Sequence, residues 1–274
     1  MRWMIRSLVL VASLSIASPA ASQSASELIF GVSEGTSGGL DHARVIAKYG
    51  GLAETIGRAA KRKVQVVFVR EFASLDEGIR SGRFDLIMAR PSDYPARAMR
   101  DHGYQFVASA RPDGQCLIIT AKDSPLQTLE QARGARWVLP EKVSYMSKFC
   151  TAELRDRGIV VANEKVQFVR EQGAVPFYLD NRFADVGGIA SYSGPAKALE
   201  KTGHRILHKS GVQPYFPLVA GKRVTTEQVR AVQAELNSLP QSDAGKDVLK
   251  SIGIQGFDTG SGERLRSLLD WIER

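Results

Sequence analysis

Short apolar runs and helical stretches alternate along the first third of the chain. Residues 28–32, 64–69 and 84–89 are apolar along most of their length, which is typical of buried strands. Between them, apolar residues recur with a helical period over 40–60, and a shorter helix is predicted over 74–81. Parallel sheets covered by helices on both faces contain strands of this kind. The pattern therefore predicts an α/β fold.

The same alternation starts again after residue 110. Strands are predicted over 104–110 and 115–120, and the segment Arg111-Pro112-Asp113-Gly114 predicts a turn between them because it contains Pro-Asp-Gly. The remaining elements are strands at 137–139, 166–169, 184–189 and 205–208, a helix at 147–157 and a short helix capped by Ser124 before Gly134. These elements predict a second α/β unit.

The chain returns to the first unit near its end. A strand is predicted over 214–220. Only helices are predicted after it, at 225–239, 242–252 and 262–274. Two crossings predict two lobes joined by a two-strand hinge beside a cleft. Lobe 1 comprises residues 23–110 and 213–274, lobe 2 comprises residues 111–212, and each is expected to hold a mostly parallel sheet with helices on both faces.

The first 22 residues have the pattern of a signal peptide. Arg2 and Arg6 precede an uncharged apolar stretch over 8–17, and small residues follow at 20–22. The apolar stretch is too short for a membrane-spanning helix, although a retained membrane anchor is the alternative. The sequence therefore predicts an exported protein with no stable membrane insertion after the signal is removed.

The charge balance favours an anionic ligand. The formal net charge is +8, and removing the two arginines of the signal peptide lowers it to +6. No segment interleaves aromatic residues with dense Lys and Arg, so a nucleic-acid partner is not predicted. The chain contains no phosphate-binding P-loop and no dinucleotide motif, and His204 and His208 have no third ligand nearby. The sequence predicts no cofactor and no metal.

Five loops follow predicted strands at the edge where ligands collect in open α/β sheets. They lie at 33–38, 72–74, 90–94, 143–147 and 187–192 and are rich in hydroxyl groups and small residues. Such donors suit an oxyanion, although each hydroxyl could instead cap a helix. The loops supply the candidates Thr36, Ser74, Arg90 and Ser92. Arg90 is expected to pair with the ligand, or else with Asp93 or Asp185.

One loop also imitates a hydrolase motif. Residues 35–39 match G-x-S-x-G after a strand and before a helix, which would make Ser37 a nucleophile. In serine hydrolases of that fold the motif lies well inside the sheet, whereas here it follows the first strand. The sequence therefore predicts a protein that is not an enzyme, with a serine hydrolase as the less favoured reading.

The two cysteines of the chain allow several states. Cys116 lies on a predicted strand and Cys150 on a predicted helix, with 33 residues between them. In an oxidising compartment such a pair predicts a disulfide, which would stabilise the fold by about 3 to 4 kcal/mol. Buried free thiols, or a thiol site for a soft metalloid such as arsenite, are the alternatives.

Several segments together resemble a known family. They lie at 28–32, 49–57, 82–86, 91–94, 123–126 and 243–254, and the last is the most specific. With Gly134 they resemble the periplasmic substrate-binding proteins of phosphate, phosphite and phosphonate ABC transporters, which have the type II binding-protein fold. The resemblance covers nearly the whole chain after the signal peptide. It implies a periplasmic monomer that captures a small oxyanion for an ABC transporter permease.

The resemblance also implies ligand residues. Family members hold the anion with a Ser-Thr-Ser run and a tyrosine of the first lobe. Here the run corresponds to Ser144, Tyr145 and Met146, with Ser147 next, and Tyr94 stands in the place of the tyrosine. Met146 removes one hydroxyl, which is a departure from the family pattern. Some related proteins are sensors of arsenite or other oxyanions that act with a histidine kinase, and this role is the alternative function.

Overall fold

The computed structural model describes residues 27–36 and 41–274 of the chain. The predicted signal peptide, residues 1–22, and the candidate nucleophile Ser37 therefore lie outside the described residues. The described chain forms one sheet of six strands and one of five, each covered by helices on both faces. The predicted α/β fold with two lobes is confirmed.

Strands and helices alternate along most of the described chain. The strands are β1 (Leu28–Ser33), β2 (Val64–Phe68), β3 (Leu86–Ala89), β4 (Gln105–Gly114), β5 (Cys116–Thr120), β6 (Arg136–Pro140), β7 (Lys165–Val169), β8 (Val186–Ala190), β9 (Arg205–Lys209), β10 (Gln213–Ala220) and β11 (Gly256–Asp258). The α-helices are α1 (His42–Ala60), α2 (Phe72–Arg80), α3 (Asp93–His102), α4 (Tyr145–Asp156), α5 (Ala174–Asp180), α6 (Gly194–Thr202), α7 (Thr226–Ser238), α8 (Asp243–Ile252) and α9 (Gly262–Glu273).

The sheet of lobe 1 has the spatial order β11-β4-β10-β3-β1-β2. β1 pairs in parallel with β2 and β3, and four of the six described strands run in one direction. Successive side chains point to opposite faces, so Phe30 and Met88 pack toward α1, α7 and α8, whereas Ile87 packs toward α2, α3 and α9. Because helices cover both faces, the central strands β1 and β3 are apolar along most of their length.

The sheet of lobe 2 has the order β7-β6-β8-β5-β9, and four of its five described strands run in one direction. Its central strand β8 carries two glycines where helices approach closely. A Cβ atom on Gly187 would lie 2.4 Å from Val175 of α5, and one on Gly188 would lie 3.1 Å from the sulfur of Cys150 in α4. Glycine therefore lets both helices pack directly on the strand.

β4 and β10 carry the chain between the lobes as an antiparallel pair. The turn predicted over residues 111–114 is wrong, because β4 continues through this segment to Gly114, which pairs with Gln213. Arg111 also pairs with Gly256 of β11. Hydrogen bonds to β10 and β11 outweigh the local turn preference of Pro-Asp-Gly, so the chain passes into lobe 2 as an extended strand.

Some elements are absent from the sequence prediction. α3, α5 and α6 are not predicted, and the buried residues of α3 include the charged Asp93 and the small Ala96 and Ala98, which weaken its apolar period. The prediction that only helices follow β10 is wrong because β11 lies between α8 and α9. The short helix expected before Gly134 is a single 3-10 turn at Glu130–Ala132.

Trp271 of α9 joins the two lobes. The helix packs on lobe 1 through Leu265, Leu268 and Leu269, but the indole ring contacts Phe149 of α4 with ring centroids 5.5 Å apart and an interplanar angle of 81°. Its Nε1–H also donates to Asp156 at 2.6 Å. The lobes are therefore in contact on this side of the molecule. Among the described residues, no helix is both long and apolar enough to cross a membrane.

Candidate functional site

The carboxyl ends of the parallel strands of both lobes meet at the seam between the lobes and surround a small cavity of about 10 Å³. Its lining consists of Gly35, Thr36, Phe72, Arg90, Pro91, Ser144, Tyr145, Met146, Gln172 and Tyr192. Each of the five loops selected from the sequence supplies at least one of these residues. The loop after β7 adds Gln172. None of the four histidines of the chain lines the cavity.

Lobe 2 presents the N-terminus of α4 to the cavity. Ser144 caps this helix, since its Oγ accepts a hydrogen bond from the backbone N–H of Ser147 at 3.3 Å. The backbone N–H groups of the first turn have no carbonyl partner four residues earlier, and together with the helix dipole they favour an anion. Burial raises the pKa of Tyr145 well above its ordinary value, so its hydroxyl remains neutral and can donate a hydrogen bond.

Lobe 1 contributes a buried ion pair. Arg90 Nε donates to Glu34 Oε2, and only 9% and 3% of the two side chains are exposed. The other carboxylate oxygen of Glu34 accepts from Lys48 Nζ at 2.6 Å and from the Tyr49 hydroxyl at 2.5 Å. Burial alone would raise the pKa of Glu34, but the charges of Arg90 and Lys48 outweigh burial and lower it. The carboxylate therefore stays ionised.

This ion pair corrects one prediction. Arg90 was expected to pair with Asp93 or Asp185 if it did not pair with a ligand, but its partner is Glu34. Asp93 instead accepts from Arg97 and from Lys148, and Asp185 accepts from Arg136. Glu34 is the partner because it directly follows β1, the neighbour of β3, and both strands end at the same edge of the sheet.

Three aromatic rings surround the guanidinium of Arg90. Its carbon lies 4.6 Å from the ring centroid of Phe216, 5.3 Å from that of Tyr215 and 5.6 Å from that of Tyr192. Tyr192 of lobe 2 stacks on Tyr215 of β10 with centroids 3.8 Å apart. Phe216 has a φ of 51°, a left-handed value that is uncommon for an aromatic residue, at a bulge of β10. The rings therefore hold Arg90 at the junction of hinge and lobes.

Gln172 links the lobes beside the cavity. Its backbone N–H donates to the carbonyl of Thr36 at 3.2 Å, and its Nε2 donates to the Thr36 hydroxyl, also at 3.2 Å. Its Oε1 accepts from the backbone N–H of Ala190 at 2.6 Å. The Thr36 hydroxyl is an acceptor in this arrangement and can still donate its own proton to a ligand.

The other predicted site residues lie away from the cavity lining. Tyr94 stacks on Phe72 with centroids 5.9 Å apart, and burial raises its pKa to about 12. The Ser92 hydroxyl donates to the carbonyl of Pro214 in the hinge at 3.2 Å. Ser74 is exposed on α2, and Ser147 faces a separate groove between α4 and α9.

A disulfide bond joins Cys116 of β5 to Cys150 of α4, with an S–S distance of 2.06 Å. It ties the helix that faces the cavity to the strand that follows the hinge. Cys150 also lies 3.6 Å, sulfur to sulfur, from Met146, which lines the cavity. Both sulfur atoms of the pair are used in this bond, so a thiol site for arsenite would require its reduction. Over residues 27–36 and 41–274, no cluster of three or more His, Cys, Asp or Glu could hold a metal ion.

Sequence reasoning assigns no role to Glu34, Gln172 or Tyr192. All three lie in loops directly after strands, at the edge where the cavity forms. A polar or aromatic side chain at the end of an apolar strand was the available signal. The hydroxyl groups of the same loops drew attention instead.

Comparisons with solved structures support the fold. The Xanthomonas citri protein XAC2383 bound to ATP is 16% identical, with a TM-score of 0.72 over 90% of this chain and 97% of that chain. PhnD1 from Prochlorococcus marinus in complex with methylphosphonate is 11% identical, with a TM-score of 0.72 over the same shares. The periplasmic aliphatic sulphonate-binding protein SsuA from Escherichia coli is 19% identical, with a TM-score of 0.59 over 89% of this chain and 78% of that chain.

The family comparison covers most of the chain. Residues 39–265 match the family described as the periplasmic substrate-binding protein of phosphonate ABC transporters. The match spans both lobes and the hinge and includes most of the residues around the cavity. The chain therefore belongs to the family of periplasmic substrate-binding proteins of phosphonate ABC transporters.

Proposed function

We propose that this protein captures a small phosphorus oxyanion, such as a phosphonate, phosphite or phosphate, between its lobes and delivers it to an ABC transporter permease. The observation that carries the proposal is the cavity at the seam, where neutral donors from both lobes converge beside Arg90. Family membership supports the same ligand class, as does the methylphosphonate bound to the Prochlorococcus marinus protein. In this proposal the protein is a periplasmic monomer that binds its ligand without chemical change.

Each lobe contributes its own donors in this proposal. Ser144, Tyr145 and the first turn of α4 bind the anion from lobe 2, whereas Thr36 and Arg90 bind it from lobe 1. Hydrogen bonds to a charged acceptor are shorter and stronger than those between neutral groups. Because no single lobe supplies the whole set, high affinity requires the two lobes to be in contact.

The size of the cavity favours a small ligand. Its volume of about 10 Å³ is close to the space that a single water molecule needs and far below the range of about 300 to 1,000 Å³ that is usual for sites of larger organic ligands. Tyr145 and Met146 fill space where the family pattern places small hydroxyl side chains. An inorganic oxyanion, or one that carries a single small substituent, therefore requires less widening of the cavity than a long-chain phosphonate.

A thermal-shift panel with titration calorimetry tests the proposal. The ligands are methylphosphonate, phosphite, phosphate, sulfate and arsenite, each with and without reductant. A ligand that binds the folded state raises the melting temperature according to its affinity and concentration. We expect a shift with at least one phosphorus oxyanion under oxidising conditions. A shift with arsenite alone, and only after reduction, would support the sensor role instead.

A pair of helix-cap variants separates binding from folding. Ser144→Ala removes both the cap of α4 and a hydroxyl of the cavity, whereas Thr225→Ala removes the cap of α7, which lies outside the cavity. Each loss of a cap is expected to lower stability by about 1 kcal/mol. The ligand-induced shift should fall in Ser144→Ala and remain in Thr225→Ala. Equal shifts in both variants would contradict the role of Ser144.

A further inference from the structure

The buried charged groups next to the cavity, Glu34, Arg90 and Lys48, do not sum to zero charge. The carboxylate of Glu34 contacts two cations, Arg90 through Nε and Lys48 through Nζ at 2.6 Å, so the three charges sum to one positive charge. The fourth member, Tyr49, donates its hydroxyl to Glu34 at 2.5 Å. Burial, reinforced by the charge of Glu34, raises the pKa of Tyr49 well above its ordinary value, so this hydroxyl stays neutral.

This network is largely closed to water. The exposed fractions of its charged side chains are 3% for Glu34, 9% for Arg90 and 21% for Lys48. Arg90 lines the cavity, so the network acts directly on whatever occupies it. In such an environment an uncompensated charge is costly, and a ligand that brings the total to zero is favoured.

The neighbouring charged groups lie outside the cavity lining. Asp93 is buried and accepts from Arg97 and Lys148, and none of these three residues lines the cavity, whereas Arg90 of the Glu34 network does. Tyr192 also faces Arg90, and burial raises its pKa, so it adds no charge. The dipole of α4 adds a positive charge equivalent to about half a unit at its N-terminus, which offsets only part of the second negative charge of a doubly charged ligand.

We propose that Glu34 is a specificity-determining residue that, by offsetting one of the two positive charges of Arg90 and Lys48, restricts the cavity to oxyanions with a single negative charge. The inference rests on the proposed function and names its ligand class: sulfonates, and phosphonates or related anions in their monoprotonated form. A singly charged ligand brings the network to neutrality. A doubly charged ligand leaves one negative charge in a site that excludes water.

Two ligands of similar shape but different charge test this inference. Methanesulfonate keeps one negative charge at all accessible pH values, whereas methylphosphonate acquires a second. Calorimetric titrations are made at about pH 5 and about pH 9, because the second ionisation of a phosphonate lies at a higher pH than the value of about 6 for a phosphate ester. We expect equal methanesulfonate affinity at both pH values. Methylphosphonate should bind about tenfold or more weakly at the higher pH, as expected when a buried charge loses its counterpart.

Variants of the network should shift this preference in opposite directions. Glu34→Gln raises the network to two positive charges, so methylphosphonate should bind more tightly at the higher pH. Lys48→Met lowers it to zero, so methanesulfonate should bind about tenfold more weakly. Asp85→Asn is the matched control, because it removes a buried carboxylate of lobe 1 that pairs with Arg223 away from the cavity. It should keep the wild-type pattern.

The outcomes separate this inference from the proposed function. Methylphosphonate binding that strengthens with pH in the wild type would overturn the inference and leave the proposed function standing. An unchanged charge preference in a folded Glu34→Gln variant would also overturn it. If Glu34→Gln does not fold, the wild-type series and Lys48→Met decide alone. No binding of any phosphorus oxyanion at either pH would remove the proposed function, and with it the inference.

Discussion

Replacing Trp271 by alanine should loosen the contact between the lobes and weaken ligand binding without unfolding either lobe. The helix that carries Trp271 packs on lobe 1, but its indole ring contacts Phe149 and its N–H donates to Asp156, both in α4 of lobe 2. The variant loses both contacts. It keeps the hydrogen bond from Arg155 to the backbone carbonyl of residue 271, at 3.1 Å.

The lost contacts give the size of the effect. An edge-to-face aromatic pair contributes about 0.5 to 1.5 kcal/mol beyond its buried area. The hydrogen bond to Asp156 lies at the exposed surface, so solvent screening limits it to about 1 kcal/mol or less. Together they stabilise the closed arrangement by about 1 to 2 kcal/mol, a factor of about 5 to 30 in its equilibrium. Ligand affinity should fall by up to this factor, because the ligand binds the closed form.

Calorimetry with methylphosphonate, and small-angle scattering without ligand, measure the two consequences. Trp271→Ala should show a larger dissociation constant for methylphosphonate and a larger radius of gyration than the wild type. Trp271→Phe keeps the ring pair and loses the hydrogen bond, so its values should be intermediate. Arg266→Ala removes an exposed pair with Glu263 on the same helix and should change neither value. Wild-type affinity and dimensions in Trp271→Ala would refute the reasoning.

Three further predictions concern stability and lobe contact. Replacing both Cys116 and Cys150 by serine should lower the free energy of unfolding by about 3 to 4 kcal/mol, from the lost loop closure alone, as measured by urea unfolding; a change under 1 kcal/mol would contradict it. The pKa of Glu34 is lowered below its ordinary value of 4.5, so its contribution to stability is complete above that value and is lost as the pH falls through the folded-state pKa. Urea unfolding below about pH 4.5 should therefore show a steeper loss in the wild type than in Glu34→Gln, and equal slopes would speak against it. Gln172→Ala removes the side-chain hydrogen bonds to Thr36 and Ala190. Ligand affinity should fall about threefold to tenfold, because each neutral hydrogen bond contributes about 1 kcal/mol. Unchanged affinity would show that this link does not hold the lobes together.

Strands with apolar side chains on both faces were the predictable part of the fold. β1, β2 and β3 read as buried strands because helices cover both sides of the sheet, and this made the α/β class evident. The segment over residues 111–114 could not be read in the same way. Its local chemistry favours a turn, and only pairing with β10 and β11, which are distant in sequence, makes it a strand.

In the candidate site, too, one part was predictable from the sequence and another was not. The loops that form the cavity were predictable, because the carboxyl end of a parallel strand is a position defined by the order of elements. The partners of the side chains were not. The pairing of Arg90 with Glu34, and of Gln172 with Thr36, depends on the register of neighbouring strands and on how one lobe lies against the other. Neither quantity is encoded in a local pattern.

The place of β10 in the sheet of lobe 1 has a consequence for the order of assembly. β10 lies between β3 and β4, yet it is synthesised after the whole of lobe 2. As the chain emerges from the ribosome or an export channel, the continuous segment 115–209 can complete its own sheet first. Until residues 213–220 are available, β3 and β4 lack the strand that lies between them, and their edges are unpaired. A nascent chain that stalls before that point therefore exposes an incomplete, aggregation-prone sheet.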